Sequence, residues 1–223
     1  MTDFVAARRT MVDGQVRTSD VTDLRIIAAM LEIPRERFVP AMQAALAYLD
    51  RDIEVTAGKG GKGARCLLKP MVLAKLVQAA EVRETDRVLD VGCATGYSSA
   101  LLARLAASVV ALEEDRALAQ SAGQNLKSLG ILNVSVVTGP LNEGWRAGAP
   151  FDVIVLNGTA ENIPKSLSSQ LKEGGRLVAI EGRAPATRGM LYRRIGAEVS
   201  GWPVFDAGAP VLPGFAVPPA FVF

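Results

Sequence analysis

The chain has 223 residues, 49% of them hydrophobic, and its 25 Lys and Arg nearly balance 23 Asp and Glu for a formal charge of +2. That content suffices for one substantial core, or one core with a smaller appendage, and leaves no whole-chain field that would favour nucleic acid or an anionic membrane. Histidine is absent and the only thiols are Cys66 and Cys93, which excludes a Ser-His-Asp hydrolase and leads us to expect neither a transition-metal site nor a disulfide framework.

The apolar runs fall short of the roughly 20 residues that cross a bilayer, and no apolar signal core opens the chain, so the expectation is a soluble, reduced, cytoplasmic protein. From residue 19 to 30, polar caps precede Leu24, Ile27 and Leu31 at helical spacing and predict a first helix. Pro34 opens a second helical start at Arg35-Glu36-Arg37-Phe38, and the alanine-rich stretch 42–49 favours a third. Residues 1–57 thus read as a helical N-terminal appendage. The run Ala-Gly-Lys-Gly-Gly-Lys-Gly-Ala at 57–64 is too glycine-rich for a helix or strand and reads as a flexible basic loop. Lys62 is followed by Gly63 where a P-loop needs Ser or Thr.

This loop and a substrate-side segment occupy 58–69, ahead of an α/β domain at 70–223. Behind Pro70, the residues Val72, Leu73, Leu76, Val77 and Ala80 mark one helical face. Strand-like runs at 87–91, 108–112, 134–137, 151–156 and 176–180 then alternate with helical ones at 98–106, 117–129 and 163–171, the signature of a doubly wound, mostly parallel sheet. After a further run at 190–195 comes a Gly- and Pro-rich stretch at 201–219, and the apolar 220–223 reads as a terminal antiparallel edge strand.

The most informative segment is Val88-Leu89-Asp90-Val91-Gly92-Cys93-Ala94-Thr95-Gly96-Tyr97-Ser98. A buried strand feeds a glycine turn and then a helix, the geometry of a nucleotide site at the carboxyl edge of an α/β sheet. Ala94 stands where the dinucleotide fingerprint has its middle glycine, and Asp90 would set a carboxylate near any pyrophosphate, so a nucleotide-dependent reductase is disfavoured. An acidic strand end suits a cationic ligand, and S-adenosylmethionine, with its sulfonium and ammonium groups, meets that requirement. Glu113 ends the next strand, Val109-Val110-Ala111-Leu112-Glu113, at the position whose carboxylate accepts ribose hydroxyls. Cys93, with no histidine to activate it, reads as a small turn residue.

These residues resemble a class I methyltransferase, and other segments sharpen the resemblance to the protein-L-isoaspartate O-methyltransferase family. They are Ile33-Pro34-Arg35-Glu36-Arg37-Phe38-Val39-Pro40, Ala47-Tyr48-Leu49-Asp50, Pro150-Phe151-Asp152-Val153-Ile154 and Gln170-Leu171-Lys172-Glu173-Gly174-Gly175-Arg176-Leu177-Val178. The resemblance implies a Rossmann-like fold and transfer of a methyl group from S-adenosylmethionine to the carboxylate of isoaspartyl residues. Damaged proteins or peptides would be the partners, with no nucleic acid, membrane or metal. It implies cofactor contacts from Asp90, Gly92, Cys93, Ala94, Thr95, Gly96, Glu113 and Glu114, with Gly139, Pro140 and Leu141 where the family has Gly-Asp-Gly. Cys66-Leu67-Leu68 stands in place of the family's Thr-Ile-Ser, which puts Leu68 and Lys69 at the catalytic side. Leu68 lacks the serine hydroxyl, and Lys69 offers a charge beside it. Two alternatives stay open here: a cofactor-binding protein without catalysis, and a methyltransferase with another substrate.

Overall fold

The computed structural model describes residues 3–56 and 64–217. Residues 57–63 of the expected basic loop at 57–64, and the expected terminal strand at 220–223, lie outside them. The central sheet has seven strands: β3 (Arg87–Val91), β4 (Ser108–Glu113), β5 (Val134–Thr138), β6 (Phe151–Ala160), β7 (Leu171–Arg183), β8 (Ala186–Ile195) and β9 (Glu198–Asp206). Their order is β5-β4-β3-β6-β7-β8-β9, parallel from β5 to β7 and antiparallel across β7, β8 and β9. The connections run from β3 outward to β5 and then return to place β6 on the other side of β3. The order therefore reverses beside β3, the switch point at which such sheets bind ligands.

Helices α3 (Pro70–Ala79), α4 (Tyr97–Ala103) and α5 (Arg116–Ser128) follow the expected 3.6-residue patterns. The expected helix at 163–171 shrinks to α6 (Lys165–Ser168), because β7 already begins at Leu171. Among the described residues the antiparallel edge is β9, which overlaps the start of the Gly- and Pro-rich stretch; Pro203 is tolerated there because an outermost strand has an unpaired side. Ahead of the expected first helix, which is α2 (Leu24–Glu32) capped by Asp23, an additional helix α1 (Phe4–Met11) is capped by Asp3. Its Phe-Val-Ala-Ala-Arg-Arg-Thr-Met sequence carries too little apolar periodicity to announce it. Residues 41–46 form a 3-10 helix where an α-helix was expected.

The apolar faces of α1 and α2 share one buried cluster with α3, α4 and alternate strand residues such as Val88, Val153, Val155 and Val178. The intervening residues, Leu89, Val91, Ile154, Leu156 and Leu177, belong to a second cluster on the opposite face, which Leu212 and Phe215 join from the C-terminal segment. The central strands are thus buried on both faces, as parallel strands require. A two-stranded antiparallel ribbon of β1 (Ile53–Glu54) and β2 (Cys66–Leu67) precedes α3. Among the described residues no helix is long and apolar enough to cross a membrane.

Arg176 on β7 ties the end of α3 to the sheet. Its Nε donates to the carbonyl of Ala80 (3.0 Å), and its Nη2 donates to Glu81 O (2.7 Å) and Asp86 Oδ2 (2.6 Å), with both charged groups buried. Truncating one side of such a pair strands the other charge away from water. Arg176→Met should therefore lower stability by about 3–5 kcal/mol, measured by urea denaturation.

Candidate functional site

The turn after β3 folds back over the end of β4. The N–H groups of Gly92 (2.8 Å) and Cys93 (3.2 Å) both donate to Leu112 O, and Gly96 N–H closes the turn on Cys93 O (2.8 Å). Gly92 and Gly96 sit at φ +75° and +96°, where a side chain is strained, and a Cβ on Gly96 would come within 3.2 Å of Ala122 Cβ. Ala94 takes φ +51° without being glycine. That conformation costs about 1–3 kcal/mol in a non-glycine residue, and the compensation is visible: it points the Ala94 N–H at Glu113 Oε2, 2.7 Å away.

Both site acids are fully buried. Asp90 accepts hydrogen bonds from Ser98 Oγ (2.8 Å), Ser99 Oγ (2.5 Å) and Asn157 Nδ2 (2.5 Å). Burial pushes its carboxyl above the usual range; those donors oppose the shift, and the negative charge of Glu113 adds to it. Glu113 accepts from the N–H groups of Ala94, Glu114 (2.9 Å) and Asp115 (3.2 Å), and it pairs with Arg65 through Nη2 (3.0 Å) and Nε (3.3 Å). Glu114 itself is exposed. Gly139 N–H, just past β5, donates to Glu113 O (3.2 Å), which brings Gly139-Pro140-Leu141 alongside; Leu141 is buried and Pro140 exposed.

Segments remote in sequence converge on the loop. Thr95 Oγ1 donates to Phe38 O (2.5 Å), and the Phe38 ring meets Tyr97 edge-on at 5.5 Å. Arg35, fully buried, stacks on Tyr97 with its guanidinium 4.6 Å from the ring centroid. It donates to Ala47 O (2.8 Å) and Leu68 O (2.7 Å). The side chain of Leu68 is in the core and only its carbonyl is engaged, while Lys69 N–H donates to Asp52 Oδ1 (2.9 Å). Leu68 also borders a cavity of about 10 Å³ that Gly92, Tyr97, Ser98 and Asn157 line, room for at most about one water.

The C-terminal segment crosses this edge. Pro210 O and Leu212 N–H bond to Thr159 on β6 (both 2.9 Å), and Phe215 O accepts from Glu161 N–H (3.0 Å). Arg65, Asn157 and Leu212 join the site without having stood out in the sequence. Asn157 had a signal, since it is the polar residue ending the apolar run 151–156 on the strand beside β3. Arg65 and Leu212 had none.

Burial raises the Cys66 thiol to about 11 and pushes the Cys93 thiol well above its usual range, so both are protonated at neutral pH and Cys93 is not poised as a nucleophile. Among the described residues no three His, Cys, Asp or Glu cluster as a metal site would require.

The family model for protein-L-isoaspartate(D-aspartate) O-methyltransferase matches residues 7–196. The chain belongs to this family. Relatives named protein-L-isoaspartate O-methyltransferase include one from Koribacter versatilis (strain Ellin345), 39% identical over 178 residues, covering 80% of this chain and 78% of its own. Another, from Methanoculleus marisnigri (strain ATCC 35101 / DSM 1498 / JR1), is 39% identical over 172 residues, with 77% and 76% covered. A solved protein-L-isoaspartate O-methyltransferase superposes with a TM-score of 0.80 at 26% identity, over 93% of this chain and 66% of that one. A Plasmodium falciparum structure described in the same terms, in complex with S-adenosyl-L-homocysteine, superposes at 0.72 and 17% identity over 95% and 99%, a likeness of fold. Membership of the protein-L-isoaspartate O-methyltransferase family makes the chain an S-adenosylmethionine-dependent methyltransferase with the class I fold. The C-terminal segment that crosses the site lies beyond the residues this family model matches.

The acids at this edge suit the positive charge of an adenosyl sulfonium, while the N–H groups of Gly92, Cys93, Ala94 and Gly96 are already committed within the chain. The space over Gly92 is held by the chain itself, since a Cβ there would stand 2.5 Å from Arg65 Nη2 and 3.1 Å from Leu212 Cδ2.

The raised carboxyl of Asp90 has a thermodynamic consequence. From about pH 4 up to that raised value, the native state keeps a proton the unfolded chain has lost, so this residue's contribution to stability falls as pH rises. Asp90→Asn removes that component. The stability difference between wild type and variant should shrink as pH increases through this window, measured by urea denaturation at stepped pH.

Proposed function

We propose that this family member methylates carboxylates of protein or peptide substrates, isoaspartyl residues foremost, with the cofactor held at the carboxyl ends of β3, β4 and β5. The observation that carries the reading is the pair of buried acids, Asp90 and Glu113, bracketing a glycine turn at the switch point of the sheet. Glu113 would accept the ribose hydroxyls, and the backbone from Gly92 to Gly96, including Cys93, Ala94 and Thr95, would line the methionine side. Glu114, Gly139, Pro140 and Leu141 would border the adenine.

When bound, S-adenosylmethionine supplies a methyl group on a positively charged sulfur. Asp90 and Glu113 set a negative field around that charge in a site screened from water, where electrostatic terms are larger than in solvent. A substrate carboxylate is ionised near neutral pH, so no residue need remove a proton, consistent with a chain that lacks histidine. The protein's task is to align the carboxylate oxygen with the methyl carbon and the sulfur, and to exclude competing water. Leu67, Leu68 and Tyr97 are buried on that side.

In calorimetry, wild type should bind S-adenosylhomocysteine, and Glu113→Gln should weaken binding by about 1–3 kcal/mol, the cost of a lost charged hydrogen bond. Methyl ester formation on an isoaspartyl peptide, followed rapidly at mildly acidic pH because the ester hydrolyses, tests the substrate. Transfer to some other carboxylate peptide but not to this one would refute the isoaspartyl assignment.

A further inference from the structure

Arg65 is committed to Glu113 in a way that a bound ribose could not share. The two carboxylate oxygens receive five hydrogen bonds, three from the backbone N–H groups of Ala94, Glu114 and Asp115 and two from Arg65. A carboxylate offers about four lone-pair sites, so hydroxyl donors must replace existing ones. The backbone donors are fixed by the turn and by the start of α5, which leaves the guanidinium as the exchangeable partner. It also fills the room over Gly92. Its main chain is pinned, with Arg65 O accepting from Val55 N–H (2.8 Å) and Cys66 paired with Glu54. Only the side chain is left to move.

A guanidinium displaced from a buried carboxylate needs another anion. Among the described residues that follow it, Leu67 and Leu68 are buried in the core and offer no polar side chain, and Lys69 stands beyond them at the start of α3. We propose that Arg65 is the residue that recognises the substrate carboxylate, resting on Glu113 until the cofactor ribose takes its place there and then pairing with the substrate. This rests on the reading of Glu113 as the ribose ligand. It makes binding of cofactor and substrate mutually reinforcing, since each removes a cost that the other would otherwise meet.

The test measures S-adenosylhomocysteine binding to wild type, Arg65→Gln and Arg65→Lys by calorimetry, and isoaspartyl-peptide binding with and without saturating S-adenosylhomocysteine. Wild type should bind the peptide about tenfold more tightly when the site is filled. Arg65→Gln should bind S-adenosylhomocysteine about tenfold more tightly than wild type, and should bind the peptide weakly whether or not the site is filled. Arg65→Lys, which keeps the charge but not the two-pronged contact, should fall between them and serves if the glutamine variant does not fold. Equal or weaker S-adenosylhomocysteine binding by the variants, or undiminished peptide binding by Arg65→Gln, overturns the exchange. Absence of S-adenosylhomocysteine binding in all three proteins removes the cofactor reading, and the exchange with it.

Discussion

Two carboxylates buried at the ends of adjacent strands, Asp90 on β3 and Glu113 on β4, are the constraint that the surrounding structure satisfies. A charge taken out of water is costly unless hydrogen bonds and opposite charge replace the solvent. Around Asp90 the replacement comes from the first turn of α4, through Ser98 and Ser99, and from Asn157 on β6. Around Glu113 it comes from the turn itself, from the entry to α5 and from Arg65. The left-handed conformation of Ala94 makes sense in these terms, because it aims a backbone donor at the acid.

The same demand explains why segments ahead of the α/β part are held against it. The Pro34 to Pro40 segment contributes Phe38, whose carbonyl holds Thr95 and whose ring packs on Tyr97. Arg35 spans from Ala47 to Leu68 across the Tyr97 ring without a carboxylate partner, its cost lowered by two carbonyl acceptors and an aromatic face. The N-terminal helices therefore share a core with the α/β part and brace the glycine turn from one side. The C-terminal segment covers it from the other, with Leu212 and Phe215 in the opposite apolar cluster.

The arrangement separates two jobs often given to one set of residues. On the proposed reading, the buried acids hold the cofactor. On the same reading, recognition of the substrate falls to side chains at the rim, where the resemblance puts Cys66, Leu67 and Leu68 in place of a segment with two hydroxyls. A hydroxyl lost from one position can be replaced by a donor of longer reach from another, and an arginine matches a carboxylate's geometry with two parallel N–H bonds. Lys69 and Arg65 are both held through their backbones, to Asp52 and Val55, and the cation that stands over Gly92 is the guanidinium of Arg65.

The alternation of strands and helices, the glycine turn and the acids at two strand ends were legible in the sequence. Each depends on local periodicity or on spacing within one βα unit, and the parallel sheet and its class I methyltransferase likeness follow from them. The sequence also marked the Pro34 to Pro40 segment by resemblance, without a reason for it. Tertiary structure alone decided the rest: that Arg35 joins that segment to Leu68, that Arg65 rests on Glu113, 48 positions away, and that the C-terminal segment lies on β6. These are contacts between residues far apart in the chain, selected by which buried charges and carbonyls lack partners after the sheet has formed. No periodicity records that outcome, because it depends on the geometry of the finished core and not on the order of residues along it.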